Sequence, residues 1–257
     1  MVKRFRGVVE YDGSGFSGSQ WQAGGQVTVQ GALESAIKRV TGEELRVLLS
    51  SRTDTGVHAE GQVMAFTLQT DRDPGLLIKS LNGVLNKEVS VQRLGEAPEG
   101  FSPRHDAESK IYRYRIRHGM PRSPLFRGRV LDLERSINGK LMQGAVACIE
   151  GNHEFRLFVT LNKAEKKKTR LDIDRAWIVE HDHLHELFFK GKGFLRKMVR
   201  RLVGSIIEVG YGKLSLADLK DALEGKEPLG FKCLTAAAEG LTLVRVWYPD
   251  GWPSEDE

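Results

Sequence analysis

Hydrophobic and polar positions along the 257 residues follow two periods, one of two residues and one of about 3.6, and together these lay out the elements in order. Alternation over about 5–12, with Phe5, Gly7, Val9 and Tyr11 set against Arg6, Val8 and Glu10, predicts a first strand. A glycine-rich loop, Gly13 to Gly25, comes next. From Thr28 onward Val29, Leu33, Ile37 and Val40 recur at helical spacing and stop at Thr41-Gly42, as in a helix with a threonine cap and a glycine exit. Strands are expected at about 45–49 and 61–68. Asp73-Pro74 reads as an N-cap followed by proline at the first helical position, with Leu77, Leu81, Val84 and Leu85 as the buried stripe. Val89 and Val91 mark a closing strand. The order is β-α-β-β-α-β, a split βαβ unit whose two helices cover one face of an antiparallel sheet and leave the other open.

A second unit begins where Lys110 to His118 alternates again, Tyr112, Tyr114 and Ile116 on one side and Arg113, Arg115 and Arg117 on the other. A helix at about 138–149 (Leu141, Ala145, Cys148) precedes strands at about 170–180 and 184–190. A strong helix at 194–208 carries Leu195, Met198, Leu202 and Ile206, and a short helix is capped by Ser215. The last strand sets Leu241, Leu243, Arg245 and Trp247 against Thr242, Val244, Val246 and Tyr248. Apart from the extra helix, the order of the first half is repeated. The expected class is α+β, two similar split-βαβ halves of ferredoxin-like type, spanning 1–105 and 106–257, with an acidic tail over 250–257.

Composition narrows the classes. With 40% hydrophobic and 28% charged residues the chain has ordinary globular make-up, which excludes disorder as its main state. No apolar run approaches the ~20 residues that span a bilayer. Met1-Val2-Lys3-Arg4-Phe5-Arg6 leads straight into a strand pattern without a signal-peptide core, so no membrane partner and a cytoplasmic location are expected. Cys148 and Cys233 have no C-x-x-C neighbour, and both are expected as buried small residues. The formal net charge of +5 includes the acids Asp250, Glu255, Asp256 and Glu257, so the body is more basic still and suits a polyanionic partner.

Chemistry concentrates in Ser50-Ser51-Arg52-Thr53-Asp54-Thr55-Gly56-Val57-His58-Ala59-Glu60, on a loop between two expected strands. An Asx-type turn capped by Asp54 accounts for part of it, but Arg52, Asp54 and His58 together also form a candidate site. From Lys190 to Arg201 six basic residues, Arg200 among them, occur without an acid. Lys163 to Arg170 is a second basic stretch, in which Lys168 and Arg170 are candidates for phosphate contact. Tyr112, on a strand with arginines opposite, could stack a base. His181, His183 and His185 alternate on one face, yet no cysteine or carboxylate shares it, and no metal is expected. The glycine-rich loop matches neither phosphate-loop pattern, so no nucleotide cofactor is expected.

The segment Ser51-Arg52-Thr53-Asp54-Thr55-Gly56-Val57-His58-Ala59 resembles the G-R-T-D-x-G-V-H-A motif of the tRNA pseudouridine synthases typified by the bacterial enzyme of the anticodon stem-loop. Further blocks agree in order: Tyr11-Asp12-Gly13, Gln20-Trp21-Gln22, Lys110-Ile111-Tyr112-Arg113-Tyr114, Gly151-Asn152-His153-Glu154-Phe155, Gly193 to Arg200, and Gly240-Leu241-Thr242-Leu243. The resemblance implies that Asp54 is the catalytic aspartate, Tyr112 the tyrosine packed on the target base, and Arg200 the arginine paired with the aspartate. Arg52 is implied to fill the space left by a flipped nucleotide, with His58, Lys168 and Arg170 as further substrate-binding candidates. It also implies two halves whose sheets form a central cleft, a homodimer that binds tRNA, action at uridines 38, 39 and 40, and no cofactor. Either route for Asp54, attack at C1′ or removal of a C2′ proton, requires an ionised carboxylate, which an arginine partner favours.

Ser51 stands where the family carries glycine and Ser19 where a tryptophan commonly precedes Gln20, and both bear on loop geometry. Asn86-Lys87, Pro103, Glu154 and Ala237 also depart from the family pattern. Two competing readings are a non-catalytic RNA-binding protein of the same fold and, less favoured, a metal-dependent hydrolase built on Asp54, His58 and the 181–185 histidines.

Overall fold

The computed structural model describes residues 1–160 and 168–253. Its elements run β1 (Val2–Tyr11), α1 (Val29–Thr41), β2 (Leu48–Leu49), β3 (His58–Gln69), α2 (Pro74–Val84), β4 (Val89–Glu96) and β5 (Ser109–His118). They continue β6 (Leu131–Leu133), α3 (Gly139–Ala147), β7 (Gly151–Glu154), β8 (Arg170–Ile173), β9 (Arg175–His181), β10 (Leu184–Gly191), α4 (Met198–Gly210), α5 (Leu216–Leu223) and β11 (Leu241–Trp247). The class is α+β, as the patterning predicts. Residues 1–110 and 242–257 form one compact unit and 111–241 the other.

In the first unit the strand order is β4-β1-β3-β11. β1 is antiparallel to both β3 and β4, and β2 adds to β3 at Leu48↔Ala65 and Leu49↔Met64. β11 runs parallel to β3, pairing Thr242 with His58 and Leu243 with Ala59. Phe5 and Phe66 are register partners and stack at 5.4 Å, the centre of a core that also buries Val9, Leu33, Ile37, Leu77 and Leu81. Both helices begin as their caps dictate. The Thr28 hydroxyl accepts from the Gly31 amide and Asp73 from the Leu76 amide, while Gly42 closes α1 at φ 80°.

Two expectations change here. The second face of the sheet is not open at β3, because Gly61 to Phe66 are all buried, so both faces of the strand are covered. The last strand, expected in the C-terminal half, belongs to the first unit. A Cβ on Gly61 would lie 2.3 Å from the Val244 carbonyl, so glycine is what lets β3 and β11 approach so closely. The first acid of the expected tail is held by the first unit. Asp250 is ion-paired with Arg6, whose guanidinium lies 4.5 Å from the Trp252 ring centroid. Residues 254–257, the rest of the expected tail, lie outside the described residues.

In the second unit β10 lies between β5 and β9, β6 runs parallel to β5, and β7 and β8 form a separate antiparallel pair. α3 packs on α4, α5 and β9. Asn138 and Ser215 cap α3 and α5 through their side-chain oxygens. α4 starts at Met198, not at 194, since Lys197 takes a left-handed conformation at φ 60° and ends any helical run from the N-terminal side. Cys148 and Cys233, expected buried, are both partly exposed free thiols.

Candidate active site

Ser50 to Val57 joins β2 to β3 in the first unit, and its backbone is held residue by residue. The Ser50 amide donates to the Val63 carbonyl at 2.9 Å and its hydroxyl to Gln62 Oε1 at 2.8 Å. Gln62, fully buried on β3, also accepts from the Ser51 amide at 3.2 Å and donates to the Ser51 carbonyl at 2.9 Å. One amide side chain thereby acts as a two-sided clamp on the loop. The Thr53 amide donates to Ser19 Oγ at 2.8 Å, and the Thr53 hydroxyl lies 2.9 Å from the Tyr11 hydroxyl. Burial pushes the Tyr11 phenol up to about 12, so it stays protonated as a member of this network.

The two departures from the family pattern at positions 19 and 51 meet here. Ser19 is fully buried, and its hydroxyl lies 3.4 Å from the Ser51 carbonyl while accepting from Thr53. Serine at position 19 therefore adds a side-chain tie to the loop, whereas position 51 enters this network through its backbone alone.

Beyond Thr53 the chain turns outward. Asp54 is half-buried between exposed Arg52 and exposed Thr55, and the Val57 amide donates back to the Asp54 carbonyl at 3.1 Å. Gly56 occupies φ 79°, a region costly for a side-chain-bearing residue, and makes the turn possible. Gly13 packs so closely that a Cβ there would meet the Val57 carbonyl at 2.0 Å. His58 is 2% exposed; its Nδ1 accepts from the Gly13 amide at 3.1 Å and lies 3.2 Å from Asp12 Oδ1. The candidate RNA contact His58 is thus enclosed in the first unit, where it ties the glycine loop to β3.

Tyr112 and Arg200 both lie in the second unit. Tyr112 is 6% exposed on β5, and Phe194 meets it edge-on at 5.1 Å, an aromatic neighbour that the sequence reading passed over. Arg200, on α4, donates from Nε to the Ala236 carbonyl at 2.8 Å, and the Ala236 amide donates to the Arg200 carbonyl at 3.0 Å. The neighbouring Tyr114 hydroxyl donates to the Ala237 carbonyl at 2.8 Å. Burial pushes the Tyr114 phenol well above its ordinary range, with the Arg200 charge opposing that shift. The segment around Ala236 therefore fixes the Arg200 guanidinium and Tyr114 together.

Other basic candidates separate by partner. Lys168 is exposed, and Arg170 is exposed on β8 with Nη1 donating to Asn152 Oδ1 at 3.1 Å; Lys163 to Lys167 lie outside the described residues. The arginine ladder of β5 is largely neutralised. Glu186 Oε1 lies 2.7 Å from Arg115 Nε and 3.5 Å from Arg113 Nε, and Asp132 takes Arg117 at 3.0 Å. Arg201, at the end of the basic run, donates to the Val159 carbonyl. The three histidines of the β9–β10 hairpin part company, His181 and His183 exposed and His185 buried against His118, whose ring stacks on it at 4.5 Å. No group of three His, Cys, Asp or Glu side chains suited to hold a metal ion occurs among the described residues. No helix among them is long and apolar enough to cross a membrane.

Comparison with known proteins adds an independent finding. A profile of a family described as tRNA pseudouridine synthase matches residues 8–106 and 145–249, spans that include Asp54 and Arg200 but not Tyr112. The protein named tRNA pseudouridine synthase A of Geobacter sp. (strain M21) is 37% identical over 251 residues, 97% of this chain and 100% of that one. Its namesake in Geobacillus sp. (strain WCH70) is 37% identical over 249 residues, 96% and 99% of the two chains. That of Legionella pneumophila (strain Lens) is 38% identical over 243 residues, covering 94% and 91%.

Proposed function

Since the chain belongs to the tRNA pseudouridine synthase family, we propose that Asp54 is the group through which it works and that its targets are uridines of the anticodon stem-loop. The enzyme is an isomerase that converts uridine to pseudouridine in tRNA. The observation that carries Asp54 is its setting: a half-buried carboxylate at the outward turn of a loop whose preceding residues are fixed by buried hydrogen bonds. Loops that are rigid behind and open in front suit a group that must meet a flipped base without rearranging.

In this reading the uridine leaves its stack, at a cost of a few kcal/mol, and Arg52, exposed beside Asp54, takes the space it vacates. The Asp54 carboxylate either attacks C1′ or removes a proton from C2′, and the N1–C1′ bond breaks. The freed uracil turns and C5 bonds to C1′, with the Asp54 carboxylate leaving C1′ on the first route or returning the proton to C2′ on the second; the C5 proton then leaves and N1 takes one up, so that no atom is gained or lost overall. Tyr112, braced by Phe194, holds the uracil face while it turns, and Arg200 balances the carboxylate's charge. His58 acts as a positioning residue for the glycine loop and not as an RNA contact. Lys168 and Arg170 supply phosphate contacts, and the functional form is a homodimer acting in the cytoplasm on one tRNA across both subunits.

The test follows tritium release from C5-labelled uridine in an unmodified tRNA transcript, with chelator present and no cofactor added, for wild type beside Asp54→Asn. Release by wild type, lost in the asparagine variant while tRNA binding persists, is the expected result. Binding without release from any tRNA by wild type would instead favour the non-catalytic RNA-binding reading, and inactivation by chelator the hydrolase.

A further inference from the structure

Lys110 has no part in the chemistry above, yet it is among the most enclosed charged side chains of the first unit. It is the second residue of β5, 6% exposed, and its Nζ donates to the Ser50 carbonyl at 2.7 Å. No carboxylate among the described residues offsets its charge, and burial pushes the ammonium down to about 8, with the Arg104 charge acting in the same direction.

A buried cation without a counter-ion lowers the stability of a fold, and a methionine of similar length would fill the same space without that penalty. Packing therefore does not explain a lysine here. Its partner offers a reason. Ser50 is the first residue of the Asp54 loop, and its amide and hydroxyl are already held by the Val63 carbonyl and Gln62. The Lys110 bond fixes the third polar group, the carbonyl, and with it the plane of the Ser50–Ser51 peptide from which the loop departs. A hydrogen bond from an ionised donor is about twice as strong as a neutral one, which suits a site where small tilts of one peptide are carried four residues along to a reacting carboxylate.

We propose that Lys110 is a positioning residue of the catalytic loop, holding the Ser50 carbonyl so that the Asp54 carboxylate stands at the flipped nucleotide. The proposal rests on the reading of Asp54 as the reacting group. Lys110→Met and Lys110→Arg are compared with wild type for single-turnover tritium release, for tRNA Kd by filter binding, and for Tm. The methionine variant is expected to react about 10-fold to 100-fold more slowly, with Kd within twofold of wild type and a Tm equal to or above it. The arginine variant, which keeps a charged donor, is expected to recover a large part of the rate.

A methionine variant that reacts within twofold of wild type overturns the proposal. So does a loss of rate, affinity and Tm together in both variants, the mark of a merely structural role. If the methionine variant fails to fold, the arginine variant decides the matter, a normal Tm with no recovered rate counting against. Wild type that releases no tritium would instead overturn the reading of Asp54, an outcome recognised before any variant is compared.

Discussion

Two clusters of ionisable residues look equally chemical as strings of letters, Arg52-Thr53-Asp54-Thr55-Gly56-Val57-His58 in the first unit and His181-Asp182-His183-Leu184-His185 in the second. In the first, Ser19, Gln62 and Lys110 reach in from other places in the chain to fix the backbone, Tyr11 holds the Thr53 hydroxyl, and Asp54, the one acid of the loop, is half-buried. In the second, a tight hairpin through Asp182 at φ 45° leaves two of its three histidines in solvent and buries the third against His118. Residue types are shared by both regions. What separates them is the number of buried, non-local hydrogen bonds that hold the backbone behind the reactive group, and that property distinguishes a preorganised site from a solvated turn.

The strongest way to break the comparison is to remove the reacting group. Asp54→Asn, nearly isosteric, is expected to slow tritium release by about 10³-fold with Tm unchanged within a few degrees. A rate within tenfold of wild type would deprive the first cluster of its special status. Next, Gln62→Leu leaves the Ser50 hydroxyl and both backbone groups of Ser51 without their clamp. Buried polar groups without partners cost about 1–3 kcal/mol each, so a net destabilisation of about 3 kcal/mol in urea unfolding is expected, with turnover falling further than tRNA affinity. Loss of less than about 0.5 kcal/mol would show that the loop does not depend on the clamp.

The second cluster has its own signature. Burial lowers the pKa of His118 and of His185 below the ordinary 6.5, His118 being lowered further by the neighbouring rings while Glu180 partly opposes both shifts. The folded chain then binds fewer protons than the unfolded one between those lowered values and 6.5. Stability from the neutral pair is complete above pH 6.5 and is lost as pH falls toward the folded pKa values. His185→Gln is expected to flatten the fall in Tm on acidification, measured by thermal melts from pH 7 down to 5; an unchanged slope would sink this assignment. The smallest effect belongs to exposed His183, where His183→Ala is expected to change turnover less than twofold and stability by less than about 0.5 kcal/mol. A larger loss of activity would mean that the hairpin takes part in the reaction.

Much of this was legible in advance because it depends on neighbours in sequence. Thr28 with Gly42, Asp73 with Pro74, and Ser215 set helix ends through bonds spanning three or four residues, and all three caps stand where the sequence places them, while Asn138 caps α3 in the same way. Alternation along β1 and β5 predicts which side chains are buried, and Tyr112, Tyr114 and Ile116 are all inside. The motif around Asp54 names the reaction class, because its residues are contiguous.

What the sequence left open turns on pairings between distant residues. The arginines of β5 read as a row of cations opposite a base-stacking tyrosine until Glu186 and Asp132 stand beside them. His58 reads as a ligand for RNA until the Gly13 amide closes over it. β11 reads as the end of the second half, yet it lies along β3 in the first unit, because a strand's partner is chosen by backbone hydrogen bonds and side-chain fit that its own alternation does not encode. Lys110 reads only as the start of a strand, and its bond to a carbonyl 60 positions earlier exists only in the folded chain. By itself the sequence determined most of the elements, the caps of α1, α2 and α5, and the chemistry of the Asp54 motif, since these rest on local geometry and residue type. Tertiary structure alone decided which charges are neutralised and which groups hold the loop, since both depend on distances that only folding sets.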